Sequence, residues 1–260
     1  MLENGLPVDS VDENGLTALH KACTCLFDNG NCIKLLLDHS ASVSITDSRS
    51  SATAFHYSCY YGNFKSISKL LEHSSDIIHQ EDNQQRTGLH YACFHNNKEG
   101  MSSDIITLLL SRGAELDKED VNKQTPLMIA CAKGNIDGVS ILLKYKADLN
   151  RKDVHLKSPI HYSCNSVQLL ELLIQSNANV NEIDALGNTA LFYAVLSNNI
   201  DTVSLLMSSG ADVHITNNDN QPAWQLTNNP DILQVFSNFL LFSSVFVCFI
   251  FSLFFLSAYS

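Results

Sequence analysis

The sequence predicts an all-α repeat solenoid of stacked antiparallel helix pairs, and three observations predict it. A seven-residue block returns as TALHKAC from Thr17, TAFHYSC from Thr53, TGLHYAC from Thr87, TPLMIAC from Thr125, SPIHYSC from Ser158 and TALFYAV from Thr189, with a degenerate PAWQLTN from Pro222. The spacings of 36, 34, 38, 33, 31 and 33 residues centre on one structural period with small insertions and deletions, which is the signature of a repeat array. Each block is followed by a second shared stretch, from KLLLDHSASV and KLLEHSSDII through LLLSRGAELD, ILLKYKADLN and ELLIQSNANV to LLMSSGADVH. Two short apolar stretches per period, separated by turns such as Gly62-Asn63 and Gly134-Asn135, read as two helices too short to stand without neighbours.

Composition agrees with a folded chain that carries no nucleic-acid surface. At 45% hydrophobic and 17% charged residues over 260 positions, the chain can bury a large core. A net charge of -11 repels phosphate and argues against nucleic acid; a basic protein surface is the natural complement. All 16 Lys and Arg lie at or before Lys157, whereas seven of the 27 acids lie beyond it. The opening MLENGLPVDS lacks the basic start and apolar run of a signal peptide, so the eight cysteines read first as cytosolic thiols.

Thr125-Pro126-Leu127 at a block start and Gly210-Ala211-Asp212-Val213 at a block end resemble the ankyrin repeat, and the resemblance runs from residue 1 to about residue 236. It implies helix pairs joined by β-turn fingers and curved to give a concave face. In order, the reading is a half repeat over 1–11, repeats over 12–47, 48–81, 82–119, 120–152, 153–183 and 184–216, a degenerate repeat over 217–236, and an apolar helical tail over 237–260. Repeat three carries five extra residues in HNNKEGMSSD from His95 to Asp104, where a surface loop lengthens cheaply. Repeat five is two residues short between its helices and lacks the Gly-Asn turn. The glycine expected in each finger stands at Gly15 and is replaced by Ser51, Gln85, Lys123 and Leu156.

The repeated histidine and cysteine, three apart on one helix face, have the spacing of a ligand or thiolate-imidazolium pair. Their variants read as architecture instead. Cys23, Cys59, Cys93, Cys131 and Cys164 share their slot with Val195, so the slot is small and apolar. Equivalent positions in stacked helices lie about 8–10 Å apart, beyond the roughly 7 Å limit between Cα atoms in a disulfide. The histidine slot holds His20, His56, His90 and His161 but also Met128 and Phe192, and a ligand site would not accept the last two. The resemblance implies a histidine bonded within its turn. CTCLFDNGNC, with Cys23, Cys25 and Cys32, lacks the second cysteine pair of a zinc knuckle. Glu115, Asp117, Glu119 and Asp120 read as a solvated finger. No phosphate-binding glycine loop or kinase signature is present, so the reading is non-catalytic, with no cofactor and no metal.

The resemblance implies that partners meet the finger residues before each Thr and the two residues after each ladder cysteine. These pairs are Thr24 and Cys25, Tyr60 and Tyr61, Phe94 and His95, Ala132 and Lys133, Asn165 and Ser166, and Leu196 and Ser197. Aromatic and arginine side chains are favoured anchors, which selects Tyr60, Tyr61, Phe94 and His95, with Arg86 from the finger and Lys133 from the next helix. The alternative is that one or more of the aromatics packs between repeats.

Both ends are unusual for a repeat array. MLENGLPVDSVD aligns with the second half of a repeat, which leaves an apolar flank without its inner helix and leads to the expectation that Met1 is not the start of the parent domain. NPDILQVFSNF aligns with an outer helix, and then residues 239–256 run without a charge. Eighteen residues at about 1.5 Å each reach about 27 Å, just enough to cross a membrane with their flanks. No basic residue flanks the stretch, and eight of the 13 phenylalanines fall between Phe236 and Phe255, so three readings stay open: a membrane anchor, translated non-coding sequence, or a buried apolar tail. The leading expectation is a cytosolic or membrane-tethered scaffold for another protein. The alternative is the cytosolic ankyrin portion of a membrane protein such as a channel or an ankyrin-type palmitoyltransferase, although the chain contains no Asp-His-His-Cys motif.

Overall fold

The computed structural model describes residues 7–25, 30–94 and 101–241, so the start of the half repeat, His95 and most of the candidate span at 239–256 lie outside the described residues. The chain divides after Val154 into two compact units. The first contains four helix pairs: α1 (Ala18–Thr24) with α2 (Asn31–Asp38), α3 (Ala54–Tyr61) with α4 (Phe64–His73), α5 (Gly88–Cys93) with α6 (Met101–Ser111), and α7 (Pro126–Lys133) with α8 (Ile136–Lys144). The second contains α9 (Pro159–Tyr162) with α10 (Val167–Gln175), α11 (Ala190–Leu196) with α12 (Ile200–Ser208), and a 3-10 turn at Ala223–Leu226 with α13 (Pro230–Leu241). Among the described residues the only bridges outside helices are Thr46 with Thr53 and Thr216 with Pro222. This is the helix-pair solenoid expected from the period.

The shared Thr or Ser starts each inner helix. Thr17, Thr53, Thr87 and Ser158 each cap reciprocally with the histidine three residues on, and the Thr125 hydroxyl accepts from Met128 N–H. Inner helices are buried almost all round, as Pro126 to Cys131 show, whereas an outer helix buries one stripe, such as Ile67, Leu70 and Leu71 of α4. Within the first unit α1, α3, α5 and α7 pack in succession, as do α2, α4, α6 and α8. In the second, α9 packs on α11 and α10 on α12, which in turn contacts α13.

Gly62 and Gly134 end inner helices in the left-handed conformation, and the asparagine after each caps the next helix: Asn63 Oδ1 accepts from Ser66 N–H and Asn135 Oδ1 from Gly138 N–H. Outer helices end on left-handed Ser40, Gly113, Lys146, Asn177 and Gly210, each followed by an alanine whose N–H returns five residues, as Ala41 does to Leu36. Repeat two departs, because a 3-10 turn at Ser75–His79 buries Ile77 and Ile78 instead. In repeat five the missing residues shorten α9 to four residues, and Ser166 takes over the capping of α10.

The fingers keep their turn without glycine. Ser51, Gln85, Lys123 and Leu156 have φ of 55°, 59°, 57° and 57°. One backbone bond links neighbouring fingers: Val121 N–H donates to Gln84 O and Val154 N–H to Asn122 O in the first unit, as Ala185 N–H does to His155 O in the second. Asp120 is a correction to the solvated reading: it is buried, and its Oδ1 accepts the N–H groups of Asn122 and Gln124. Unpaired backbone N–H groups in a tight turn need an acceptor, and the carboxylate supplies it. No helix among the described residues is long and apolar enough to cross a membrane.

Candidate partner-binding surface

The finger before α5 is organised by Asp82. Its Oδ1 accepts from Gln84 and Arg86 N–H, and its Oδ2 accepts from the Tyr91 hydroxyl at 2.7 Å and from Arg86 Nε at 2.8 Å. Burial pushes the Asp82 carboxyl up, but the Tyr91 hydroxyl, the Arg86 guanidinium and the backbone donors hold it below the ordinary carboxylate value. The same Asp–Tyr link joins Asp47 to Tyr57 and Asp184 to Tyr193. Arg86 is therefore already engaged in fixing its own finger, and one of its Nη atoms also donates to Tyr91.

On this framework the aromatics form a ledge. Tyr60 and Tyr61, at the end of α3, are 39% and 41% exposed. Tyr60 meets Tyr61 edge-on with centroids 5.2 Å apart, and lies 6.2 Å from Tyr91 and 6.4 Å from Phe94. The Arg86 guanidinium carbon stands 4.9 Å from the Tyr91 centroid and 5.7 Å from that of Phe94, while Lys133 Nζ is 5.3 Å from Phe94, all within cation–π reach. A cleft of about 220 Å³ opens beside them, lined by Arg86, Phe94, Asp120, Ile129 and Lys133 together with Gln84, Asn122 and Gln124. Five of the six residues selected from sequence are thus neighbours, and His95 lies outside the described residues. Tyr91 was not selected. Its signal was available, since tyrosine recurs four residues after the cap at Tyr57, Tyr91, Tyr162 and Tyr193. Of the other expected contact positions, Cys25, Ala132, Asn165, Leu196 and Ser197 are exposed, and Thr24 and Ser166 are half-buried.

The histidines join repeats. Nδ1 of His20, His56, His90 and His161 accepts from the cap residue's own N–H, so Nε2 carries the proton and donates onward. In the first unit it reaches Ala52 O, Gln80 O and Gln124 O, and in the second Glu182 O and Asn188 O. Burial lowers all four pKa values, that of His90 to about 4. Cys23, Cys59, Cys93, Cys131 and Cys164 are buried, as is Val195 in the same slot. Burial raises the Cys164 thiol to about 12, far from a reactive thiolate. Cys25 and Cys32 are exposed, and no group of three His, Cys, Asp or Glu able to hold a metal occurs among the described residues.

The sequence pattern "Ankyrin repeats (3 copies)" matches residues 1–81, 41–120, 78–153 and 151–217. An ankyrin repeat protein of variola virus is 31% identical over 115 residues, covering 44% of this chain and 15% of that protein. A putative palmitoyltransferase of Danio rerio is 31% identical over 123 residues, covering 47% of this chain and 14% of that protein. A putative ankyrin repeat protein of fowlpox virus is 48% identical over 56 residues, 21% of this chain and 16% of that protein. The chain therefore spans only a small part of the length of these relatives. With the pattern matched along most of its length, and with capped helix pairs linked by turn fingers, the chain belongs to the ankyrin-repeat family.

Proposed function

We propose that this chain is a non-catalytic scaffold that binds a partner protein across the inner-helix and finger surface of its first unit. Ankyrin repeats serve in protein–protein interaction and are generally not enzymes. The observation that carries the finer reading is the ledge of Tyr60, Tyr61 and Phe94, exposed or half-exposed side by side and braced from beneath by Tyr57 and Tyr91. Rigid aromatics with polar tips provide large contact area with few rotors to freeze. In a capture experiment with the full-length chain, the triple variant Tyr60→Ala/Tyr61→Ala/Phe94→Ala is expected to lose the partner while its thermal unfolding moves by only a few degrees. Collapse of the melting transition would instead make these side chains core.

A second reading places the repeats on the cytosolic side of a membrane protein, tethered through 239–256. The match to a putative palmitoyltransferase favours it, but the variola ankyrin repeat protein matches at the same 31% identity, so likeness alone does not select it. Fractionating cells that express the chain with and without residues 237–260 tests it: only the full-length chain should sediment with membranes, and a soluble full-length chain would remove the tether.

A further inference from the structure

We propose that the cleft between Arg86 and Lys133 seats the carboxylate of an aspartate or glutamate from the partner protein, with a neighbouring apolar side chain of the same segment lying on the Tyr60–Tyr61–Phe94 ledge. This rests on the inner-surface reading above and names the chemistry of its occupant. Two basic side chains, Arg86 and Lys133, reach the cleft. Lys133 is exposed, and no carboxylate of a described residue lies within ion-pair distance of its amine. Arg86 directs Nε and Nη2 at Asp82 and Tyr91, and its Nη1 makes no hydrogen bond to a described residue, although guanidinium carries five donors. Asp120 also lines the cleft, but it is buried and its Oδ1 already accepts two backbone N–H groups.

Electrostatics and size point the same way. Two cations share the Phe94 ring, at 5.7 and 5.3 Å from its centroid; Arg86 is already paired with Asp82, which leaves Lys133 to meet an incoming anion. Phe94, Ile129 and Ala132 supply apolar walls, which lower the local dielectric and strengthen a charged contact. About 220 Å³ is below the roughly 300–1,000 Å³ of small-molecule sites and suits one side chain. The net charge of -11 points to a basic partner overall; in this cleft Asp82 is buried and ion-paired with Arg86, and Asp120 is buried with its Oδ1 bonded in its own turn while its charge also acts on Arg86. The exposed cation that a ligand meets at this cleft is the Lys133 ammonium.

The test presents the full-length chain to a phage library of random twelve-residue peptides and remeasures enriched peptides singly. The expected peptides carry Asp or Glu beside an apolar residue. They weaken about tenfold on Lys133→Met and further on Lys133→Glu, and reselection on Lys133→Glu exchanges the acid for Lys or Arg. Lys133 is exposed, so both variants should fold, which the melting curve checks. Peptides without an acid, peptides indifferent to Lys133→Met, or no enrichment at all would overturn the carboxylate assignment. If such peptides still lose affinity on Tyr60→Ala/Tyr61→Ala, only that assignment falls. If they ignore both Tyr60→Ala/Tyr61→Ala and Phe94→Ala, the inner-surface reading falls with it.

Discussion

The bridging histidines must stay neutral, because Nδ1 accepts a backbone N–H that a protonated ring would repel. An unfolded histidine titrates near 6.5, whereas burial holds His90 at about 4. Stability from this group is therefore complete above about pH 6.5 and is lost as pH falls toward 4. At about 1.4 kcal/mol per pKa unit the loss from His90 is roughly 3 kcal/mol. Urea unfolding at pH 7.5 and 4.5 should show it, and His90→Met, which copies the Met128 slot, should flatten the decline. Leucine at φ 57° in the finger of repeat five is strained, at a cost of about 1–2 kcal/mol. Leu156 is half-exposed, so Leu156→Gly should raise stability by about 0.5–1 kcal/mol after the added freedom of the unfolded chain. Gly88 answers to Phe55: a Cβ there would lie 2.6 Å from the Phe55 ring and 3.0 Å from Cys59 Sγ. Gly88→Ala should cost about 1–3 kcal/mol and much less in a Phe55→Leu background, a coupling that a double-mutant cycle reads. The sequence displays this pairing, since repeat two has Phe where the other clear repeats have Leu or Ile, and repeat three has Gly where the others have Ala or Pro.

The Gly-Asn turn shows how an element joins three tasks in two residues. Gly62 ends α3 at φ 74°, Asn63 Oδ1 caps α4, and Asn63 Nδ2 donates to Cys25 O at 2.9 Å in the preceding repeat. Asn63 is 5% exposed, so Asn63→Ala loses a cap and removes the Nδ2 donor from the carbonyls of Cys23 and Cys25. The expected cost is about 2–3 kcal/mol from the two terms together. Asn63→Asp keeps the cap and loses the donor, which separates the contributions in equilibrium unfolding. The period, the helix pair and the turn were legible in the sequence because each depends on residues adjacent along the chain. The reach of Asn63 to Cys25 and of His90 to Gln124 was not, because each partner lies in another repeat. Asp82 and Asp120 were hidden for a related reason: an acid in a polar turn looks solvated until the fold buries it against its own N–H groups.

Across the molecule, charge divides unevenly between the two units. Beyond Lys157 there are seven acids and no Lys or Arg, so the second unit repels itself with little internal compensation. Trp224, the chain's single tryptophan, lies there and places a fluorescence probe in that unit. Raising salt from about 10 to 150 mM shortens the screening length from about 30 to 8 Å. The Trp224 fluorescence transition should then rise by a few degrees, more than the circular-dichroism transition of the whole chain. By itself the sequence determined the repeat, its helix pairs, the apolar cysteine slot and the aromatic positions, because periodic side-chain patterns report which face is buried. Tertiary structure alone decided that Arg86 is held by Asp82 and Tyr91, that Lys133 joins it over Phe94, and that Asp120 belongs to its turn. Those facts depend on distances between repeats, which close-packing sets and spacing along the chain does not encode.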